Sequence, residues 1–149
     1  MKYLLLSLLV LLVNPAFAAG GLITLNSGFD VPTTVDRLED VVKNADFKVI
    51  ARVKHSAAAK SVGLDLRPNQ LLIFGKPKAG SLLMQEAQSI GIDLPMKYLV
   101  WQEADGKVLI GWNDPAWLAG RHGVKGKDEL IGKMSGALQK LAKKAATAD

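Results

Sequence analysis

Apolar and polar side chains alternate over residues 47–54. Phe47, Val49, Ala51 and Val53 fall on one side and Lys48, Arg52 and Lys54 on the other, with Ile50 among them. A two-residue period of this kind marks a half-buried strand. Residues 22–27 alternate in the same way, and residues 70–74 are a short apolar run that reads as a buried strand. Two further strands, 96–103 and 107–112, flank Ala104-Asp105-Gly106. An Asp-Gly pair between alternating runs is a strong hairpin signal.

Between these segments the period changes. Val35, Leu38, Val41, Val42 and Ala45 recur at helical spacing and predict a helix over 32–45. Pro32 suits its first turn, where a missing N–H costs nothing. Residues 55–62 are alanine-rich and predict two helical turns stopped by Gly63, and residues 75–80 read as a loop before a helix over 81–90 that Gly91 ends. Asp114 as N-cap and Pro115 at the first position start a short helix limited by Gly120 and Gly123. Leu130, Ile131, Met134, Leu138 and Leu141 make the apolar stripe of a closing helix over 128–144, with Asp128 and Glu129 at its positive end. This order predicts a two-layer α+β fold: a mostly antiparallel five-stranded sheet with helices packed on one face.

The N-terminus has a different pattern. Lys2 precedes an apolar run over 3–13 broken only by Ser7; Asn14 and Pro15 end it, and Ala16-Phe17-Ala18 is a small-x-small cleavage site. The run is shorter than the about 20 residues a membrane-spanning helix needs. Residues 1–18 therefore read as a cleavable secretory signal and 19–149 as a single domain, periplasmic or secreted, with no stable membrane anchor. The chain has no cysteine, which excludes disulfides, thiol catalysis and Cys-ligated metal. Export without disulfides fits a bacterial periplasm better than a small extracellular scaffold. The net charge of +5 is modest, and much of it lies in Lys125, Lys127, Lys133, Lys140, Lys143 and Lys144. These read as the solvated face of the last helix, where late lysines complement the dipole. With export, they argue against a nucleic-acid partner.

Candidate chemistry is sparse. His55 and His122 are the only histidines. With Asp93 or Asp114 they could form a two-His, one-carboxylate metal site; each also reads as a structural histidine bonded to backbone. The segment 75–81 joins a strand to a helix, but Ser81 stands where a phosphate-binding loop needs lysine. Lys76 and Lys78 beside a helix start could still hold a small anion. There is no G-x-S-x-G elbow, and Ser56 and Lys60 are one residue off an S-x-x-K pair. Glu39, Asp40, Asp128 and Glu129 read as solvated charge. Trp101, Trp112 and Trp117 gather near the hairpin and read as core packing, with a pocket or subunit interface as the alternative.

His55-Ser56-Ala57, the run from Gln70 through Phe74-Gly75-Lys76-Pro77, Asp93-Leu94-Pro95, Asn113-Asp114-Pro115 and His122 stand in a recognisable order. This ordered set resembles the domain-of-unknown-function family 302 over nearly all of 19–149. The resemblance implies a two-layer α+β fold related to the TATA-binding-protein-like fold, and a dimer. It brings no activity, substrate or cofactor. Lys54 and Lys76 depart from the Asp and Asn common at those positions in the family, which puts any site role of theirs in doubt. The expectation is an exported, non-enzymatic binding or interaction module, working as a small homodimer with a small-molecule ligand. The alternative is a metal- or anion-binding protein or enzyme using His55, His122 and Asp114. The candidate site residues are His55, Lys76, Asp93, Asn113, Asp114 and His122, all at element ends, with both histidines expected on one rim of the sheet. The leader itself is directly testable: N-terminal sequencing of the exported protein should begin at Ala19, and intact Met1 in a membrane fraction would refute cleavage.

Overall fold

The computed structural model describes residues 16–17 and 20–148; the expected leader lies outside these apart from Ala16–Phe17. Six strands form one sheet: β1 (Ala16–Phe17), β2 (Leu22–Ser27), β3 (Lys48–Val53), β4 (Asn69–Gly75), β5 (Met96–Gln102) and β6 (Val108–Asn113). Their order is β1-β2-β6-β5-β4-β3, and every pair is antiparallel. The helices are α1 (Val31–Asn44), α2 (His55–Ser61), α3 (Pro77–Glu86), α4 (Pro115–His122) and α5 (Asp128–Ala146), and a 3-10 turn covers Gln88–Ile92. The expected two-layer α+β architecture is the observed one, with the two-residue β1 added to five substantial strands.

One face of the sheet carries the core. Leu25, Leu72, Phe74, Tyr98, Val100, Ile110 and Trp112 point from alternate strand positions against Val35, Leu38 and Val42 of α1 and Leu138, Ala142 and Ala145 of α5. Phe74 and Tyr98 sit diagonally on β4 and β5, and the register sets Tyr98 opposite Trp112 of β6, with ring centroids 4.8 Å apart for the stacked first pair and 5.7 Å for the edge-on second. The Tyr98 hydroxyl donates to the Leu138 carbonyl of α5 at 2.6 Å. Arg37 of α1 donates to the Ala145 carbonyl (Nε, 2.9 Å) and to those of Lys144 and Thr147, supplying partners that the last turn of a helix lacks.

Two expectations need correction. The alternation in β3 is interrupted: register shifts between Val49 and Ala51, so Val49 pairs with Phe74 and Arg52 with Leu72, both facing the helices. Ile50 is the extra residue of a β-bulge, which turns the rest of the strand over. Arg52 thus reaches back to Asp36 of α1 and Gln70 instead of facing away. The second correction concerns residues 75–80. Pro77 opens α3, so most of the expected loop is helix, and the helix ends at Glu86 before the 3-10 turn. Proline's fixed φ suits a first helical position, and this signal outweighs Gly80.

Asp114 is the expected N-cap of α4, accepting from the Ala116 N–H at 3.1 Å. The hairpin turns at Gly106, whose φ of 87° only glycine adopts without strain.

Burial pushes the Tyr98 phenol well above its ordinary value of 10.0. Above about pH 10 the unfolded phenol releases a proton that the folded one keeps, so the native state binds more protons and stability falls as pH rises. Tyr98 is the lone tyrosine after Ala18. In protein 19–149, tyrosinate absorbance should therefore appear together with loss of helical circular dichroism. Ionisation of the phenol in a chain that stays folded would contradict this burial.

Candidate functional site

Antiparallel pairing decides which element ends meet. Gly75 at the end of β4 pairs with Lys48 at the start of β3, and Phe74 pairs with Met96 at the start of β5. Asn113, at the end of β6, pairs with Leu22 at the start of β2. Lys76, Asp93, Asn113 and Asp114 adjoin these strand ends, and His122 is brought to the same rim by its bond to Asp93.

His55 is not there. It follows Val53, which pairs with Leu71, and the neighbouring Ser56 hydroxyl bonds Asn69 at the start of β4. The length of β4, roughly 15–20 Å at about 3.3 Å per residue, separates it from the rim that holds His122. The expectation that both histidines share one rim is therefore overturned. Asp114 stands at the opposite end of α4 from His122, about 12 Å away along the helix, and is occupied as a cap with Ser135 at 3.4 Å. Within one chain the set His55, His122 and Asp114 does not converge. Among the described residues no group of three His, Asp or Glu side chains is placed to hold a metal ion.

His122 instead makes a chain that the sequence did not advertise. Its Nε2 lies 2.6 Å from Asp93 Oδ2 and its Nδ1 lies 3.0 Å from Ser89 Oγ. A carboxylate on Nε2 requires the proton there, so in the neutral ring Nδ1 accepts from the serine hydroxyl. Arg121 adds a longer ion pair to Asp93 at 3.4 Å, and Lys97 donates to the Asp93 carbonyl at 2.7 Å. Burial lowers the Lys97 ammonium below its ordinary value, against the opposing pull of Asp93. None of Ser89, Asp93 and His122 lines the cavity described next. Their effect is to fasten the 3-10 turn and the entry to β5 onto α4.

That fastened segment forms one wall of a cavity of about 610 Å³, inside the range of small-molecule sites. Phe47 and Met96 come from the sheet side, Met84 from α3, and Leu130, Met134 and Ala137 from α5. Leu94 and Pro95 supply the wall that Asp93 anchors. Glycine allows the close fit: a Cβ on Gly91 would stand 3.2 Å from Met84 Sδ, tighter than ordinary packing. The polar groups are at the edge. Lys48, Lys76 and Lys133 and the hydroxyl of Ser81 line the space, and no Asp or Glu does. Lys76 Nζ lies 4.6 Å from the centroid of the Phe47 ring. Of the six expected site residues, only Lys76 lines the cavity. The cavity's apolar lining was missed because its signal is breadth: Leu130, Met134 and Ala137 widen the apolar arc of α5 beyond what Ile131, Leu138 and Leu141 need to cover the sheet.

The arrangement belongs to a recognised class of domains. Residues 23–141 match the family model described as "Domain of unknown function DUF302", and the chain belongs to that family. The crystal structure of an uncharacterized conserved protein DUF302 from Bacillus stearothermophilus has the same fold. Its TM-score is 0.76 at 24% sequence identity, covering 85% of this chain and 99% of that one. Among curated proteins, the chain is 45% identical over 104 residues to "Fluoride-specific ion channel FluC 1" of Brucella suis and to the protein of the same name in Brucella abortus. It spans 41% and 38% of their lengths, so it matches less than half of either. No described helix is long and apolar enough to cross a membrane.

Removing the Asp93 carboxylate leaves the largely buried His122 ring without its partner. Asp93→Ala should lower unfolding free energy by about 1–3 kcal/mol, measured by urea denaturation. A change inside experimental error would show that the bond does not hold this wall.

Proposed function

We propose that this protein is an exported, non-enzymatic binding module that holds a small, mostly apolar molecule in the cavity between α3, α5 and the rim of the sheet. One observation carries the reading: a largely apolar space of about 610 Å³ lined from α3, α5 and the sheet edge. Packed interiors rarely leave such volume without use. Among the described residues, lysines at its edge are the only charged side chains that line it, and Ser81 has no histidine or carboxylate beside it in the lining.

A separate observation favours a homodimer. The face of the sheet turned away from α1 and α5 carries Leu71, Ile73, Leu99, Trp101 and Leu109, only half-buried in the single chain. Beside it, Val62, Leu64 and Leu66 follow α2 with 71%, 63% and 49% of their surface exposed. Apolar area on this scale marks an interaction surface, and a symmetric pair is the commonest way a soluble chain covers one.

Native mass spectrometry of protein purified from the periplasm tests both parts. The expected spectrum is a dimer carrying a non-covalent organic molecule, and Ala79→Phe, which fills the cavity, should lose that mass while remaining dimeric. A ligand-free wild-type spectrum counts against the carrier reading, and a monomer at micromolar concentration counts against the dimer.

A further inference from the structure

We propose that the cavity takes an aliphatic chain bearing a single anionic head, with the chain inside and the head between Lys48 and Lys76. The inference rests on the cavity being a ligand site and goes on to name the ligand's chemistry. Two features support it, one for each end of the molecule.

The inside suits a flexible hydrocarbon. Met84, Met96 and Met134 come from three different elements, and Leu94 and Leu130 complete the lining between them. Thioether side chains are unbranched and polarizable, and they repack around chains of varied shape. Phe47 is the one aromatic ring that lines the space, and Lys76 already lies against it. A flat aromatic ligand would therefore find little to stack on.

The edge suits an anion. Lys48 begins β3 opposite Gly75 and Lys76 is the next residue along, so the two side chains leave the sheet edge from opposite faces, and both line the mouth of the cavity. Neither ammonium has a carboxylate partner within 4 Å among the described residues. The third lysine, Lys133, is held by Glu129 one turn away on α5, which leaves the first two as the free pair. Lysine stems can lie along the apolar wall while their heads stay in water. That geometry receives a ligand whose charge remains at the surface and whose tail leaves it.

Isothermal titration of the folded protein with decanoate, decanol and acetate separates the possibilities. Decanoate should bind at least about tenfold more tightly than decanol, the scale expected for two exposed charge interactions, and acetate should give no signal. Raising salt to 1 M should erase most of that preference by screening. Lys48→Gln combined with Lys76→Gln should bring decanoate down to the affinity of decanol and leave decanol unchanged. Equal binding of decanol and decanoate by the wild type would overturn the anionic head and leave the cavity reading intact. Failure of both to bind a chain with native circular dichroism would overturn both readings. Binding of acetate as tight as decanoate would place the anion site outside the cavity and overturn the proposal alone.

Discussion

The packing of Phe74, Tyr98 and Trp112 against one another is the constraint on which the rest of the molecule depends. These three large rings lie on β4, β5 and β6, so they set the spacing at which the helices can cover the sheet. The bond from Tyr98 to the Leu138 carbonyl then fixes α5 along its length as well as its height. A buried hydroxyl left without that partner would cost about 1–3 kcal/mol, so any sliding of α5 along the rings is resisted. The apolar residues of α5 nearer its start, Leu130, Met134 and Ala137, are carried out beyond the edge of the ring row. They face α3 and the sheet edge across the open space there. The cavity is the space left where the helix layer overhangs the sheet.

Polar ties fasten the sheet to the helices toward both of its ends. The bulge at Ile50 rotates β3 so that Arg52 turns toward α1 and ties the edge strand to Asp36 and Gln70. On the other side, Asp93 and His122 hold the 3-10 turn and the entry to β5 against α4. Each fastening uses a charged or polar pair at the periphery of an apolar space. Asp36 stays exposed to water, while the largely buried Asp93 and His122 satisfy each other directly. The cavity wall is thus held by groups that do not enter it, which leaves the interior free for apolar contact.

The two faces of the sheet divide the remaining work. The helix-covered face supplies the core and the cavity, while the uncovered face presents Leu71, Ile73, Leu99, Trp101 and Leu109. Gly111 belongs to this second face: a Cβ there would stand 2.7 Å from the Trp101 ring, so the glycine lets the indole lie flat across β6. Membership of the DUF302 family agrees with this architecture. The family description assigns no chemistry, so the functional argument rests on the cavity and on the lysines at its edge.

Periodicity in the chain was enough to determine the elements and their class. The alternation in β2 and β5, the Asp-Gly hairpin, the Asp114-Pro115 helix start and the stripes of α1 and α5 are local signals, and the structure contains each of them. The ordered residues from His55 to His122 also carried the family. What local patterns could not decide is which element ends meet, because that depends on strand order and register. His55 and His122 look alike in sequence, each at a boundary, yet antiparallel pairing places them at opposite ends of β4. The bulge at Ile50 was hidden because one inserted residue leaves an alternating pattern nearly intact while inverting half the strand. The cavity was hidden for a related reason: its apolar lining is indistinguishable, residue by residue, from core. Only the overhang of α5 and α3 beyond the aromatic row turns Leu130, Met134 and Met84 from packing residues into the walls of an open space.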